Sequence, residues 1–243
     1  MVKERLDVLM FKKGLVPSRE KAKILILAGE VYVSGERVTT PDKRYDESVD
    51  IEIKLNPIPY VSFGGVKLEK AIREFHLDVR EKVAVDVGAS TGGFTDCLLK
   101  FGASHVYAID VGKNQLHYLL RSNPRVTLIE GFNARYLKFE TIGTLVDIAT
   151  VDVSFISLKK ILPNLVEVVK PKGHILTLVK PQFEVGRFEV GKGGIVKDSE
   201  KIKKVIEDIK SFGSSLNIHP KDVLVAPKEN QKKNTEYFIL WEK

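Results

Sequence analysis

The sequence predicts an α/β protein in which helices cover both faces of a mainly parallel sheet, preceded by a small α+β domain. Three observations lead to this prediction. Apolar strand segments alternate with helical segments from residue 63 onward, a glycine-rich turn follows the first of these strands, and two closely spaced prolines, Pro57 and Pro59, precede them. The 243 residues include 43% hydrophobic and 29% charged side chains, which suits a large domain with a small one and excludes disorder.

The first 55 residues predict two helices followed by three short strands, which together form a complete small domain. Gly14 and Gly29 are expected to end the helices, because glycine readily adopts the left-handed turn that closes a helix. The two prolines favour extended backbone, so we place a linker there. The expected helices span 5–13 and 18–28, the strands 31–33, 37–38 and 49–53, the domains 1–55 and 63–243, and the linker 56–62.

The larger domain alternates strands with helices, the pattern of a parallel sheet with crossover helices. No helix fits between the last two strands, so they are expected to pair antiparallel at one edge. A loop at 186–197 contains four glycines and three basic residues and is expected to be mobile. The predicted strands are 82–87, 105–110, 126–130, 146–151, 174–179 and segments near Val223 and Tyr237, and the predicted helices are 92–101, 114–121, 157–170 and 199–212.

The composition excludes several classes of protein. Cys97 is the single cysteine, so we expect neither an internal disulfide nor a zinc cluster. No apolar run approaches the roughly 18 residues that span a bilayer, and residues 1–14 are too charged for a secretory signal. We therefore expect a cytoplasmic protein with no membrane span and no metal.

The net charge of +7 indicates a polyanionic partner, such as nucleic acid or an anionic membrane. The excess is uneven, because residues 1–44 contain ten Lys or Arg and only six Asp or Glu. Basic side chains of this domain are expected to contact phosphates, and the alternative is an ordinary solvated surface. The candidates are Arg5, Lys12, Lys13, Arg19, Lys23 and Arg37.

The glycine-rich turn at 88–93 lies where open α/β sheets bind adenosine ligands, between the first strand and the helix that follows it. Asp110 ends the next strand and could accept hydrogen bonds from both ribose hydroxyls. Ser90 stands where a dinucleotide-binding turn requires glycine, so an adenosine cofactor without a pyrophosphate fits better. S-adenosylmethionine meets that description, with Asp86 near its ammonium group, whereas the alternative is a tight connection without a ligand. The residues expected to bind the cofactor are Asp86, Gly88, Ala89, Ser90, Gly92, Gly93, Phe94, Asp110 and Asn133.

Charged residues near strand ends are the candidates for catalysis. Asp152 and Lys180 directly follow apolar strand segments, at the edge of the sheet where ligands bind. Charged residues that continue an apolar strand usually have a partner or a function, and the alternative is a polar strand end in solvent. The candidate catalytic residues are Lys67, Asp152, Lys180 and Glu236.

Three motifs resemble the TlyA family of ribosomal RNA 2′-O-methyltransferases, relatives of FtsJ: residues 86–94 (DVGASTGGF), 146–157 (VDIATVDVSFIS) and 178–184 (LVKPQFE). Residues 5–33 resemble the RNA-binding module of ribosomal protein S-four, so the resemblance covers nearly the whole chain. It implies a Rossmann-like, S-adenosylmethionine-dependent methyltransferase domain that acts on ribosomal RNA in ribosomal subunits, with cytidine as the nucleotide. We expect the enzyme to be a monomer. It also implies a Lys-Asp-Lys-Glu tetrad, which falls on Lys67, Asp152, Lys180 and Glu236.

These residue types suit methyl transfer to a sugar oxygen. A ribose hydroxyl becomes a nucleophile only when its proton is removed or strongly hydrogen-bonded, whereas a sulfonium methyl is electrophilic without a metal. A lysine amine can accept such a proton when burial and a second cation favour its neutral form. We interpret Lys180 as the base or proton relay, Asp152 as its orienting partner, and Lys67 with Glu236 as positioning and charge-balancing residues.

Three other functions agree with parts of the sequence. A non-catalytic ribosome-assembly factor would keep the fold and bind only RNA, and absence of cofactor binding would indicate it. A haemolysin, a name given to relatives of this family, would need a membrane-inserting segment, and the longest candidate, residues 24–28, is too short. An NAD-dependent oxidoreductase is disfavoured by Ser90.

Overall fold

The computed structural model describes residues 3–27, 29–54, 58–186, 189–230 and 232–243. The chain divides into two compact units, Met1–Pro59 and Tyr60–Lys243. Residues 56 and 57 of the predicted linker lie outside the described residues, and so does Arg187 of the predicted basic loop.

The N-terminal unit packs two helices against a small antiparallel sheet. Its elements are β1 (Lys3–Arg5), α1 (Leu6–Lys12), α2 (Arg19–Leu27), β2 (Val31–Val33), β3 (Glu36–Val38), β4 (Arg44–Asp46) and β5 (Ile51–Ile53). Leu6 and Met10 of α1, Ala22 and Ile26 of α2, and Val31 of β2 share one core, because apolar residues recur at helical spacing. The strands β3, β2 and β5 form a sheet, and β1 pairs with β4. The sequence did not predict the second pair, since charged residues leave both strands without an alternating apolar pattern.

The C-terminal unit contains the longer strands and helices. In chain order they are α3 (Phe63–Glu74), β6 (Val83–Val87), α4 (Gly93–Lys100), β7 (His105–Asp110), α5 (Tyr118–Arg121), β8 (Val126–Glu130), α6 (Phe139–Ile142), β9 (Val146–Val151), α7 (Leu162–Val168), β10 (Val169–Val179), α8 (Pro181–Glu184), α9 (Ser199–Ser215), β11 (His219–Val225) and β12 (Tyr237–Glu242).

The strands of this unit form one sheet in the order β11-β12-β10-β9-β6-β7-β8. The five strands from β10 to β8 are parallel, and β11 and β12 pair antiparallel at one edge, as predicted. Leu68 of α3 and Leu98 of α4 belong to an apolar core on one face, and Leu162 of α7 and Ile209 of α9 belong to the core on the other. The predicted α/β sheet with helices on both faces is confirmed.

Several helices differ from the sequence prediction, and the four-residue helices α6 and α8 have no predicted counterpart. The helix α3 has no predicted counterpart, although apolar residues recur along it at helical spacing. The helix expected at 114–121 is shortened to α5, because Asn114 has a left-handed backbone with φ of 59°. The helix expected at 157–170 becomes a 3-10 turn followed by α7, since Pro163 favours the first turn of a helix. The strand β10 then begins at Val169 rather than at 174.

The strand order creates a crevice at the carboxyl ends of β6 and β9. In the strand order, β7 and β8 lie to one side of β6, whereas β9 and β10 lie to the other. The connections after β6 and after β9 therefore run in opposite directions. Connections that diverge in this way leave a gap beyond the strand ends, the usual ligand site of an open α/β sheet. Asp110, Asp152 and Lys180 all lie at this edge, because each ends or follows a parallel strand.

Candidate active site

Gly88 holds the first strand–helix turn directly against the segment that follows β9. Its φ of +85° lies in the left-handed region that glycine adopts without strain. A Cβ atom at this position would lie 2.3 Å from the carbonyl oxygen of Asp152. The amide of Asp152 in turn donates to the carbonyl of Val87 at 2.9 Å. The glycine turn therefore fixes Asp152, one of the candidate catalytic residues, beside it.

Gly93 allows α3 to approach the start of α4 at backbone contact. A Cβ atom at Gly93 would lie 2.8 Å from the amide nitrogen of Gly65. The carboxylate of Asp96 accepts a hydrogen bond from the amide of Val61 at 2.9 Å, which fixes the chain just before α3. Lys67, in the second turn of α3, therefore reaches the glycine turn, and the two line a cavity of about 250 Å³.

A cleft of about 750 Å³, which we call the switch-point cleft, lies beyond the carboxyl ends of β6 to β9. The carboxylate of Asp110 on its wall accepts hydrogen bonds from the amides of Ser90 and Gly112, both at 2.7 Å. Each carboxylate oxygen keeps a further lone pair, so Asp110 can still accept ribose hydroxyls. Asn133, in the segment that follows β8, accepts a hydrogen bond from the amide of Arg135 at 3.1 Å.

The predicted cofactor residues fall into three groups in the structure. Four line the switch-point cleft, a further three line only the cavity shared with Lys67, and the remaining two line neither of these cavities in the described part of the chain. The first group is Gly88, Ser90, Asp110 and Asn133, the second is Ala89, Gly93 and Phe94, and the third is Asp86 and Gly92.

Asp86 lies beneath the glycine turn rather than on the wall of the cleft. Its side chain is fully buried and accepts hydrogen bonds from the hydroxyls of Thr95 at 2.7 Å and Thr150 at 3.0 Å. Burial raises the pKa of the Asp86 carboxyl to about 7, although these hydrogen bonds oppose the rise. Contact between Asp86 and a cofactor ammonium group stays a prediction.

The raised pKa of Asp86 predicts a pH-dependent contribution to stability. Between about pH 4 and pH 7 the folded chain holds a proton here that the unfolded chain has lost, so this contribution falls as pH rises and is lost above pH 7. Asp86→Asn removes the effect. Urea unfolding measures the free energy of unfolding of both proteins at pH 5 and at pH 8. From pH 5 to pH 8, the variant is expected to become more stable relative to the wild type by about 2 kcal/mol or more. An identical difference at both pH values would contradict the assignment.

The structure brings the four candidate catalytic residues together as two amine–carboxylate pairs. Nζ of Lys180 lies 2.5 Å from Oδ1 of Asp152, an ion pair rather than an aligned hydrogen bond, and donates to Oγ of Ser154 at 3.0 Å. Nζ of Lys67 donates to Oε2 of Glu236 at 2.6 Å. Lys67, Lys180 and Glu236 line a common cavity of about 230 Å³. We call the four residues Lys67, Asp152, Lys180 and Glu236 the amine–carboxylate cluster.

Sheet register explains how distant residues meet in this cluster. Val179 of β10 pairs with Tyr237 of β12, so Lys180 and Glu236 emerge side by side from adjacent strands. The four side chains are only 11–21% exposed, where charges interact more strongly than they do in water. Two amines and two carboxylates balance in formal charge, which limits the cost of their partial burial.

Phe155 is a candidate functional residue that the sequence analysis did not single out. Its side chain is 91% exposed, its φ of +63° is left-handed, and it lines the switch-point cleft. The ring centroid lies 4.9 Å from that of Phe183. Backbone strain at a non-glycine residue is common at functional sites. The sequence signal that could have indicated Phe155 is an aromatic residue in the loop that follows a strand.

Glu184 was also not predicted as a site residue, although it connects the two segments that contain Asp152 and Lys180. Its carboxylate accepts hydrogen bonds from the hydroxyl of Ser157 at 2.6 Å and from the amide of Leu158 at 2.8 Å. Burial raises the pKa of the Glu184 carboxyl, while these two hydrogen bonds lower it in part. Glu184 therefore fixes the loop after β9 against α8.

The basic residues of the N-terminal unit are partly engaged within that unit. Arg5 and Arg19 contact the buried carboxylate of Asp7 at 3.0 and 3.4 Å, and the two guanidinium groups hold the pKa of Asp7 below its usual value despite its burial. Both arginine side chains stay exposed to more than a third. RNA contacts of the six candidates stay a prediction. Of the other four, Lys12 pairs with Glu4, Lys13 donates to the carbonyl of Val49, Arg37 donates to that of Gly29, and Lys23 is half-buried.

Two absences hold for the part of the chain that the structure describes. There, no three His, Cys, Asp or Glu side chains form a group that could hold a metal ion. No described helix has the length and apolar character needed to cross a membrane. Cys97 lies in the core, and burial raises the pKa of its thiol to about 12.

The sheet order, the switch-point cleft and the amine–carboxylate cluster are those of an α/β protein with a small-molecule site beside a polar reaction centre. Residues 60–243 match the FtsJ-like methyltransferase family, and residues 4–51 match the S4 domain. The chain belongs to the FtsJ-like methyltransferase family, whose cofactor is S-adenosylmethionine.

Relatives and solved structures extend along almost the whole chain. YqxC of Bacillus subtilis, a presumed rRNA methyltransferase, is 44% identical over 98% of this chain and 85% of its own. The 16S/23S rRNA (cytidine-2′-O)-methyltransferase TlyA of Mycobacterium tuberculosis is 40% identical over 98% of this chain and 88% of its own. The structure of a presumed hemolysin from Streptococcus thermophilus is 42% identical, with a TM-score of 0.75, and covers 100% of this chain and 89% of that one. The family resemblance of the sequence motifs is confirmed.

Proposed function

We propose that this protein methylates the 2′-hydroxyl of ribose in ribosomal RNA, with cytidine as the acceptor nucleotide and ribosomal subunits as the substrate. The observation that supports this most directly is the position of the amine–carboxylate cluster beside Gly88, next to the switch-point cleft. The acceptor chemistry agrees with the name of the Mycobacterium tuberculosis relative. Such a substrate would place the protein in the cytoplasm, where we propose that it acts as a monomer.

The switch-point cleft fits S-adenosylmethionine in size and in chemistry. Its volume of about 750 Å³ lies within the usual range for small-molecule sites, and apolar residues such as Ile109 and Phe132 form part of its lining. Asp110 would hold the ribose hydroxyls, and Gly88, Ser90 and Asn133 would contact the rest of the ligand. When bound, the cofactor supplies an electrophilic methyl group that needs no metal ion.

The amine–carboxylate cluster would activate the ribose oxygen. Lys180 removes or relays the proton of the 2′-hydroxyl, while Asp152 and Ser154 fix the position of its amine. Lys67 and Glu236, held together at 2.6 Å, position the acceptor nucleotide and balance the charge. Holding the oxygen in line for attack accounts for a large part of such catalysis.

Two features support RNA as the substrate. The S4 domain carries exposed basic side chains, and contacts with phosphates would fix position without selecting a sequence. The exposed ring of Phe155 offers a surface on which an unpaired base can stack beside the cluster. We therefore propose that target choice depends on the folded shape of the RNA.

The experiment that tests the function uses the full chain, methyl-labelled S-adenosylmethionine, and either ribosomal subunits or free ribosomal RNA. We expect label in RNA at riboses that become resistant to alkaline cleavage. Cofactor binding without transfer to either RNA would contradict methylation of ribosomal RNA, and absence of cofactor binding would favour the assembly factor. Release of dye from liposomes would instead support a haemolysin.

Glu184→Ala is expected to lower kcat by about 10- to 100-fold, because the loop that carries Asp152 loses its connection to the Lys180 segment. The Kd for S-adenosylmethionine should change little, since Glu184 does not line the described part of the switch-point cleft. Methyl transfer and calorimetry check the two expectations. Glu184→Gln keeps one acceptor and should restore part of kcat, whereas equal losses in both variants would speak against a positioning role.

A further inference from the structure

A second basic surface lies in the C-terminal unit, between the loop that precedes α9 and the segment that joins β11 to β12. Asn234 ties the two together, because its side chain accepts from the amide of Val196 at 2.8 Å and donates to the carbonyl of Gly194 at 2.8 Å. Between them lies a cavity of about 500 Å³. We call it the lysine groove, because its lining includes Lys197, Lys228, Lys232 and Lys233.

Most of this positive charge forms no ion pair within the part of the chain that the structure describes. Lys233 pairs with Glu229 at 2.5 Å, whereas Lys197, Lys228 and Lys232 form no salt bridge with any described carboxylate. On the neighbouring helix α9, three of the four lysines, Lys201, Lys203 and Lys210, each pair with a glutamate. Like charges that converge around a concave surface favour an anionic ligand.

The lysine groove continues into the reaction centre. The cavity that contains Lys67, Lys180 and Glu236 is also lined by Lys228, Lys233 and Asn234, and all three line the groove as well. A strand whose ribose reaches Lys180 would therefore direct its neighbouring phosphates toward these lysines. A flat anionic membrane could not follow this path into the cavity.

We propose that the lysine groove binds the phosphodiester backbone of the RNA strand next to the acceptor nucleotide. The proposal rests on the proposed function, because that function supplies the RNA strand. It assigns the C-terminal unit a phosphate site of its own, separate from the basic residues of the S4 domain. Its effect would be to hold the acceptor ribose in the cluster once the RNA is bound.

The test compares two double variants that remove the same charge. Lys197→Gln with Lys232→Gln changes lysines that line the groove but not the cavity of the cluster. Lys172→Gln with Lys204→Gln is the matched control, since both lysines are exposed, lie in the same unit and line no described part of either cavity. Binding of a fluorescent ribosomal RNA fragment to the full chain is measured at several KCl concentrations.

The groove variant is expected to reduce the slope of log Kd against log salt concentration by about 1.4, at about 0.7 for each phosphate contact to a single strand. The control should keep the wild-type slope, and Lys197→Arg with Lys232→Arg should restore it. In methyl transfer, KM for RNA should rise by a larger factor than kcat falls. A groove variant whose slope equals that of the control would overturn the proposal. If the wild-type chain methylates no RNA, the proposed function fails, yet the salt slope still decides whether the groove binds phosphate.

Discussion

Lys180→Ala is expected to abolish methyl transfer while leaving the binding of S-adenosylmethionine intact. The amine is the group nearest to Asp152 in the amine–carboxylate cluster and is only 11% exposed, so solvent cannot readily replace it. Positioned acid–base groups contribute about 10²- to 10⁴-fold to rate, and the loss here should be at least about 10³-fold. Single-turnover transfer of labelled methyl to ribosomal RNA measures the rate, and calorimetry measures the cofactor Kd.

Two further variants show whether the amine acts on a proton or only through its charge. Lys180→Arg keeps the positive charge near Asp152, but a guanidinium group does not give up its proton in proteins. It should therefore be nearly as inactive as the alanine variant. Lys172→Ala, which removes a lysine near the beginning of the same strand, should have full activity. High activity of Lys180→Arg would exclude the base or relay role and leave an electrostatic one.

The parts of the fold that the sequence predicted are those set by local patterns. Five apolar strands with a glycine turn after the first determine a parallel sheet and the edge at which its ligand binds. The helix α3 and its residue Lys67 were harder to predict. Packing through Gly93 directs α3 to the site, and such tertiary contact has no signature in the periodicity of either segment.

Strand ends indicated Asp152 and Lys180, but the complete cluster was predictable only through the family resemblance. Lys67 and Glu236 are 169 positions apart, and the antiparallel register of β10 and β12 brings Glu236 next to Lys180. Spacing along the chain contains no information on this register. For Asp86 the motif predicts a ligand contact, which stays a prediction, but it does not predict that Thr95 and Thr150 donate hydrogen bonds to its buried carboxylate.

Gly88→Ala is expected to disrupt both the switch-point cleft and the amine–carboxylate cluster. An alanine here would have to keep a left-handed backbone, at a cost of about 1–2 kcal/mol. Its Cβ would also lie 2.3 Å from the carbonyl oxygen of Asp152, and overpacking of this kind costs about 1–3 kcal/mol more. The backbone of Asp152 must move, so we expect methyl transfer to be lost and cofactor affinity to fall at least about tenfold.

Gly143→Ala separates the steric clash from the backbone strain. Gly143 has a similar φ of +76°, yet a Cβ atom there would meet nothing within 4 Å. Urea unfolding should show the strain in both variants, and only Gly88→Ala should show the additional loss together with the loss of activity. If the two variants lose stability equally and both keep methyl transfer, the glycine turn does not position Asp152, and the coupling between cofactor site and cluster must be sought elsewhere.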